Sequence, residues 1–462
     1  MPRLRRLAVG LSAAAWVGCF TALQWSVVRF RLGIVVVLTS AAVLLGTAAW
    51  RRWRVDLLTR PVLVATLVAI AVVAETVPFF SYTSSSDQRW LAHGVATACA
   101  ATGLAFVVGH RHGPRLAAAV AVSSLLITSS AVILLDRAPR IDVWVTLQQA
   151  ADGMANGQNI YEMTWVNSPG IKDAFTYLPW TAVLLAPGRW IAGDVRWALL
   201  AWFVGGLLGL IAVGRRSANA LAAAILLALA PGTTTQAEQA WTEPLLFALL
   251  AGWALLVSRG RAWWAVVPLA LACASKQHMA LLLPVLACWP AFGLRRTVAT
   301  GGLTGVLIAP WFLASPSAFV HDTITLLVGF HPIKFANTLF IAAQTELGWT
   351  PPFWLTGVVV LGVLGIACVT VQRRQPALHE LLGWLALLLL VANLVNKQAF
   401  YNQYGLVGAL LALALAATPV RSADGLAGQQ PLQADREVVP APALSHPRST
   451  TSAEPLRENG IQ

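Results

Sequence analysis

The fold class predicted for this chain is all-α: a polytopic transmembrane helical bundle of about 12–15 spans, with interfacial helices in an outer-face loop after the fifth span. Three observations predict it. The 462 residues are 57% hydrophobic and only 11% charged, whereas soluble domains carry about 25% charged residues. The apolar residues come in long runs without the alternation of barrel strands, and a backbone in lipid must satisfy its own hydrogen bonds, so the runs are helices. Arginines cluster between the runs, so the formal net charge of +13 is a topology signal rather than a sign of nucleic-acid binding.

In order, the apolar runs fall near residues 8–25, 32–49, 58–79, 91–109, 116–135, 197–214, 218–231, 243–258, 263–275, 279–292, 297–314, 352–371, 378–394 and 400–417. That gives about fourteen candidates at roughly 20 residues per crossing, several of them short. The N-terminus has the basic start and apolar core of a signal peptide but no small-x-small cleavage site, so an uncleaved first span is expected. Residues 177–192 form a further run whose Pro179 and Pro187 suit a broken, non-spanning element at the outer surface. With that element outside the count, one orientation turns Arg51, Arg52 and Arg54, Arg111 and Arg115, Arg215 and Arg216, Arg259 and Arg261, Arg295 and Arg296, and Arg373 and Arg374 toward the cytoplasm. Arg29, Arg31, Arg137 and Arg140 are the exceptions. Residues 1–420 form the membrane domain, and 421–462, rich in Pro, Ser, Gln and charge, read as a disordered cytoplasmic tail. No internal repeat is evident. The five cysteines lie inside apolar runs without a CxxC pair and read as small buried hydrophobes.

The opposite face collects loops 136–176, 232–242 and 315–350, with short turns at 275–278 and 396–404. All four lysines, Lys172, Lys276, Lys334 and Lys397, fall there, against the positive-inside bias. An ammonium at this interface suits a phosphate, or it snorkels to headgroups. Asp142 opens a segment whose Val143, Leu147, Ala150, Ala151 and Met154 share one helical face, with Thr146, Gln148, Gln149 and Asp152 directed elsewhere. This is an amphipathic helix suited to the interface and ended by Asn156-Gly157. Asp142 is placed at its N-cap, which is compatible with a chemical role because the helix would fix the carboxylate. Asn159, Tyr161 and Tyr177 follow, then Gln236, Glu238, Gln239, Trp241 and Glu243. Amides and aromatics near an acid suit sugar recognition, and equally an interfacial belt or a solvated loop.

An outer Asp, an interfacial helix, Gly157-x-Asn159-x-Tyr161 and the aromatic-x-Tyr177-x-Pro179 element together resemble the polyprenyl-phosphate-sugar-dependent membrane glycosyltransferases of the C superfamily. The branch most similar is the polyprenol-phosphate-mannose-dependent alpha-mannosyltransferases. The resemblance is clearest over residues 140–190 and weaker over 230–280. Two departures leave the sugar and acceptor open: several spans precede the acidic loop here, and Tyr177-Leu178-Pro179 stands where the family has Tyr-Pro-Pro. The resemblance implies a multi-pass plasma-membrane enzyme with its active site on the extracytoplasmic side. Its donor would be a sugar, mannose favoured, on a polyprenyl phosphate, and its acceptor a cell-envelope glycolipid or polysaccharide. No Walker loop or nucleotide fingerprint argues otherwise.

Inverting transfer from such a donor needs one base and no separate acid, because the phosphate leaves as a stable anion. Asp142 is then the catalytic base. Lys276, His278, Lys334, Lys397 and His331 are the candidates for the departing phosphate. Asn159, Tyr161, Tyr177, Gln236, Glu238, Gln239 and Trp241 are those for sugar or acceptor. No cofactor is expected, and no His, Cys and Asp cluster has metal-ligand spacing. A membrane transporter or lipid flippase is the alternative. It would carry ionisable residues in mid-span and often a repeat, whereas Glu75 and Glu380 lie near span ends.

Overall fold

Most apolar runs of the sequence are helices in the structure, a computed structural model that describes residues 2–52 and 60–419. Arg54 and the tail expected over 421–462 lie outside the described residues. Among those described there are twenty α-helices and no strand.

Five helices come first: α1 (Pro2–Trp25), α2 (Leu32–Arg51), α3 (Arg60–Thr76), α4 (Ser85–Val108) and α5 (Gly113–Leu135). An irregular stretch leads to α6 (Asp142–Ala155), and a long loop to α7 (Pro179–Ala192). Then come α8 (Val195–Val213), α9 (Ala218–Ala228), α10 (Thr233–Glu238), α11 (Glu243–Ser258) and α12 (Val266–Ser275). A 3-10 segment, Gln277–Leu282, runs into α13 (Leu283–Ala287), followed by α14 (Gly293–Ala314). The short α15 (Pro316–Val320) and α16 (Leu326–Gly329) flank a π-turn at His321–Thr325, and α17 (Leu339–Glu346) precedes α18 (Phe353–Arg374), α19 (Leu378–Leu394) and α20 (Tyr401–Ala417). Neighbours in space are α3, α4 and α5; α8, α11 and α12; and α9, α20, α19 and α2.

Among the described residues six helices are long and apolar enough to cross a bilayer: α2, α4, α5 with the 3-10 turn before it, α8, α14 and α18. Apart from the 24-residue α1, the others are shorter, for a reason the hydropathy runs do not carry. Eleven-residue α9 and ten-residue α12 are each roughly 15 Å long, about half the hydrocarbon thickness. Every residue of α9 except the exposed Ala218 is buried, and α12 is buried over most of its length. They are interior helices that stop early. Where they stop, irregular polar backbone enters the bundle, which is tolerated at such depth only where protein covers it or a cavity borders it.

The bundle has two unlike ends. At one, Arg52 Nη2 donates to the Arg374 carbonyl (2.9 Å), Arg52 lies 3.9 Å from Glu380, and Arg259 donates to the Ala212 carbonyl. At the other lie Asp142, Lys276 and Lys397.

Three sequence expectations about α6 and α7 are corrected. Ile141 is the N-cap of α6, and Asp142 is its first helical residue, with no side-chain cap bond. Instead Asp142 Oδ1 accepts from the adjacent Val143 N–H at 2.9 Å. Nor does Gln148 turn away: it is buried, accepting from Val195 N–H (2.8 Å) and donating to the Gly193 carbonyl (3.1 Å). Pro187 does not break α7, which runs unbroken for 14 residues, roughly 21 Å. Pro179 sits in its first turn, where a missing N–H costs nothing.

The reason α6 lies where it does is a strap built on the α7–α8 turn. Arg189 pairs with Asp152 at 2.7 Å, and Trp190 Nε1 donates to the Ala151 carbonyl. Asp194 accepts from Trp144 Nε1 and from Arg196, whose guanidinium is 2.7 Å away and fully buried. Arg196 also donates to the carbonyls of Asp136 (2.7 Å) and Glu238 (3.2 Å). One buried cation thus joins the end of α5, the end of α10 and, through Asp194, α6. Arg196→Met leaves Asp194 without its buried partner. It is expected to cost about 3–5 kcal/mol, read as a lowered midpoint of thermal unfolding in detergent. Asp194→Asn combined with it should recover part of the loss.

Candidate functional site

The end opposite the basic turns holds a cavity of about 690 Å³. Asp142, Tyr177, Gln239, Trp241, Lys276, His278 and Lys397 all line it. These residues come from five separate stretches of chain, and the early stop of α12 brings Lys276 and His278 into the group. Apolar side chains of the α18 and α19 region complete the wall, together with Phe80 and Tyr82.

Asp142 is half-buried, and burial pushes its carboxyl above the usual aspartate range, opposed in part by the Val143 and Asp142 backbone N–H groups. Gly170 covers it. A Cβ added there would lie 2.5 Å from Asp142 Oδ2 and 3.0 Å from Cγ, so the carboxylate fits only because residue 170 has no side chain. Tyr177 stands between Asp142 and the Lys276–Glu243 pair. Burial and both carboxylates drive its phenol well above its ordinary range, so it is a neutral hydroxyl.

Lys276 is the first residue after α12 and lies 5.4 Å from the centroid of the Tyr177 ring. Its ammonium donates to Glu243 Oε1 (2.6 Å) and Thr242 Oγ1 (3.2 Å). Two of its three donors are thus used, and Lys276 itself lines the cavity. Lys397 donates to the Val328 carbonyl at 2.7 Å and has no acid within ion-pair distance among the described residues. Burial lowers its pKa. It is the less neutralised of the two cations.

Six of the sequence candidates lie elsewhere. His331 and Lys334 are exposed and off the cavity. Asn159 accepts from the Tyr161 N–H, and Tyr161 Oη donates to the Tyr177 carbonyl at 2.9 Å. Both hold the loop, and Tyr161 packs on Phe175 and Phe319. Gln236 is buried and away from the cavity. Glu238 Oε1 accepts from Ser81 Oγ and Tyr82 N–H, both at 2.6 Å, and from Thr83 N–H at 3.3 Å. It is the anchor of the 81–83 turn. Lys172 is exposed.

The segment before α7 is fixed residue by residue. Trp165 Nε1 donates to the Ala174 carbonyl, Phe175 N–H to Asp322, Gln277 Nε2 to the Thr176 carbonyl, and Leu178 N–H to the Ser275 carbonyl. Asp322 is 2% exposed, also bonds His321 Nδ1 at 3.0 Å, and was not singled out by the sequence. Nor were the amides Asn393, Asn396, Gln398, Asn402 and Gln403, which line the cavity around Lys397. Their density between two apolar runs was the available signal. Among the described residues no group of three or more His, Cys, Asp or Glu could hold a metal ion.

Comparison with known proteins finds no matching family model and no matching curated protein.

The geometry around Glu238 separates a structural role from ligand binding. Glu238→Ala strands the Tyr82 and Thr83 N–H groups and is expected to cost about 1–3 kcal/mol. Glu238→Gln keeps an acceptor oxygen and should lose less. Thermal unfolding of the two variants measures the difference.

Proposed function

We propose that this chain is a membrane glycosyltransferase that uses a lipid-linked donor. It would move a sugar, mannose favoured, from a polyprenyl phosphate to a glycolipid or polysaccharide of the cell envelope at the outer face of the plasma membrane. The observation that carries the reading is the meeting in one cavity of a single half-buried carboxylate, Asp142, with Lys276, His278 and Lys397. The orientation rests on the gathering of Arg52, Arg374 and Arg259 at the other end. In this reading α1, α3, α9, α11–α13, α19 and α20 join the six long helices within the bilayer, and α6 and α7 lie at its outer boundary.

The step is a single displacement. Asp142 takes the proton of the acceptor hydroxyl, and that oxygen forms the bond to the anomeric carbon. The bond from that carbon to the phosphate oxygen breaks, and its electron pair leaves with the polyprenyl phosphate. Lys397, His278 and Lys276 receive the anion. The amides of 393–403 and the Tyr177 hydroxyl offer hydrogen bonds to the sugar, and Trp241 and Phe80 a flat apolar surface. A raised carboxyl pKa suits the task, because a base is more effective the closer its pKa lies to the working pH.

Asp142→Asn keeps an acceptor for Val143 N–H and removes a partly desolvated charge, so folding stability should be unchanged or slightly higher. Transfer from radiolabelled polyprenyl-phosphate mannose to a membrane glycolipid fraction should fall by about 10²–10⁴-fold. Undiminished transfer by the folded variant would remove Asp142 as base. The sign of the pH dependence follows from the raised pKa. Native kcat/KM should be low in acid and rise with pH as Asp142 ionises, through a midpoint above the ordinary value of about 3.9.

Gly170→Ala tests the seating of the Asp142 carboxylate while keeping the carboxylate itself. The new methyl displaces the carboxylate, so kcat should fall by about 10-fold or more, since a shift of roughly 1 Å is already costly. Donor KM should change little. A raised donor KM with kcat unchanged would show that residue 170 only shapes binding.

A further inference from the structure

A second cavity, of about 450 Å³, lies beside the first among α3, α4, α5 and the 228–238 segment. Loop residues 79–82 form a wall common to both, with alternate sides facing alternate cavities: Phe79 and Ser81 line the second, Phe80 and Tyr82 the first. Glu238 and Gln239 divide in the same way. The second cavity follows α4 from Gln88 and Arg89 to Ala98, roughly 15 Å. It is polar at that start and apolar along its length, with Ile70, Val95 and Leu125 in the wall. A space of this form fits an amphiphile rather than a sugar or a nucleotide.

The charges at the polar end decide which amphiphile. Glu75 Oε1 shares a hydrogen bond with His93 Nδ1 at 2.8 Å, Asp87 accepts from Ser84 Oγ at 2.7 Å, and Glu238 is taken up by the 81–83 turn. Each acid there has a partner. Arg89 lines the cavity, is exposed, and has no acceptor among the described residues. Trp90 beside it is 73% exposed, as expected of a ring at the headgroup level. An open guanidinium at the mouth of an apolar slot calls for an anion carried on a hydrocarbon chain. We infer that this cavity binds one chain of an anionic phospholipid, with the phosphate on Arg89. The site is distinct from the Asp142 cavity and separated from it by the pinned 79–83 loop.

The test uses the full-length protein in nanodiscs. It is irradiated with phosphatidylglycerol carrying a diazirine in its acyl chain, or with the matching phosphatidylcholine, and labelled peptides are mapped. Phosphatidylglycerol should label the α3–α5 peptides about fivefold more than phosphatidylcholine, the preference that one basic residue near an anionic lipid gives. Arg89→Gln, a surface change, should equalise the two lipids. Ala98→Trp should lower labelling by both. Equal labelling of the native protein by the two lipids would overturn the inference. So would a preference that survives Arg89→Gln, or label confined to the Asp142 cavity. No sugar transfer enters the readout, so this inference and the transferase reading fail independently.

Discussion

The arrangement of this end of the molecule depends on one buried cation. Arg196 has no contact with solvent, so its charge is sustained only by what surrounds it: the Asp194 carboxylate and the carbonyls of Ile133, Asp136 and Glu238. A guanidinium is suited to this because its donors fan out in a plane and serve several acceptors together. Those acceptors belong to segments far apart in sequence that must meet for the charge to be tolerated. The desolvation that would make an isolated buried arginine prohibitive therefore makes assembly of the α5 end, α6, the α7–α8 turn and α10 all-or-none. Asp142, at the first residue of α6, takes its place from that assembly.

A second constraint comes from helix length. α9 and α12, at 11 and 10 residues, are each about half as long as a bilayer's hydrocarbon layer is thick. Their ends would carry unsatisfied backbone groups into the interior if nothing met them. The structure meets them with polar contacts: the Tyr401 hydroxyl donates to the Pro231 carbonyl at 2.6 Å, and Thr181 Oγ1 and Leu178 N–H donate to the Ser275 carbonyl. The main cavity opens at the α12 stop, whereas the segment that follows α9 borders the second cavity. Lys276 therefore enters it from the side, directly after the last turn of α12, rather than from a mobile loop above.

The sequence made some of this legible and concealed the rest. Hydropathy located α19 at 378–394 to the residue and α2 and α20 nearly so, because a run of Leu, Val and Ala bounded by charge or Pro has only one way to sit in lipid. It misjudged 279–292, which is a 3-10 segment and a five-residue helix, because composition reports burial and not length. Asp142, Lys276, His278 and Lys397 could be picked out because an ionisable group at the margin of an apolar run needs a reason. Asn159, Tyr161 and Glu238 carried the same composition signal, but Asn159 Oδ1, Tyr161 Oη and Glu238 Oε1 bond the backbone of nearby loops. Only coordinates distinguish an amide that waits for a ligand from one that caps a turn.

Gly170 shows where reading a sequence ends. Nothing in its neighbourhood marks it, since a glycine in a polar loop is ordinary and its backbone is not in the left-handed region. Its importance lies in a contact across 28 positions, with the Asp142 carboxylate occupying the space of the missing Cβ. That contact also explains the state of the carboxyl. Backbone packed this close excludes water from one side of Asp142 while donating no hydrogen bond to Oδ2 that would restore what hydration loses. The charged form is disfavoured, and the group is held where a proton acceptor of raised pKa would be wanted. The same close approach that fixes its direction thus sets its basicity, so position and proton affinity at this residue are properties of one piece of packing and cannot be varied separately by changing residue 170.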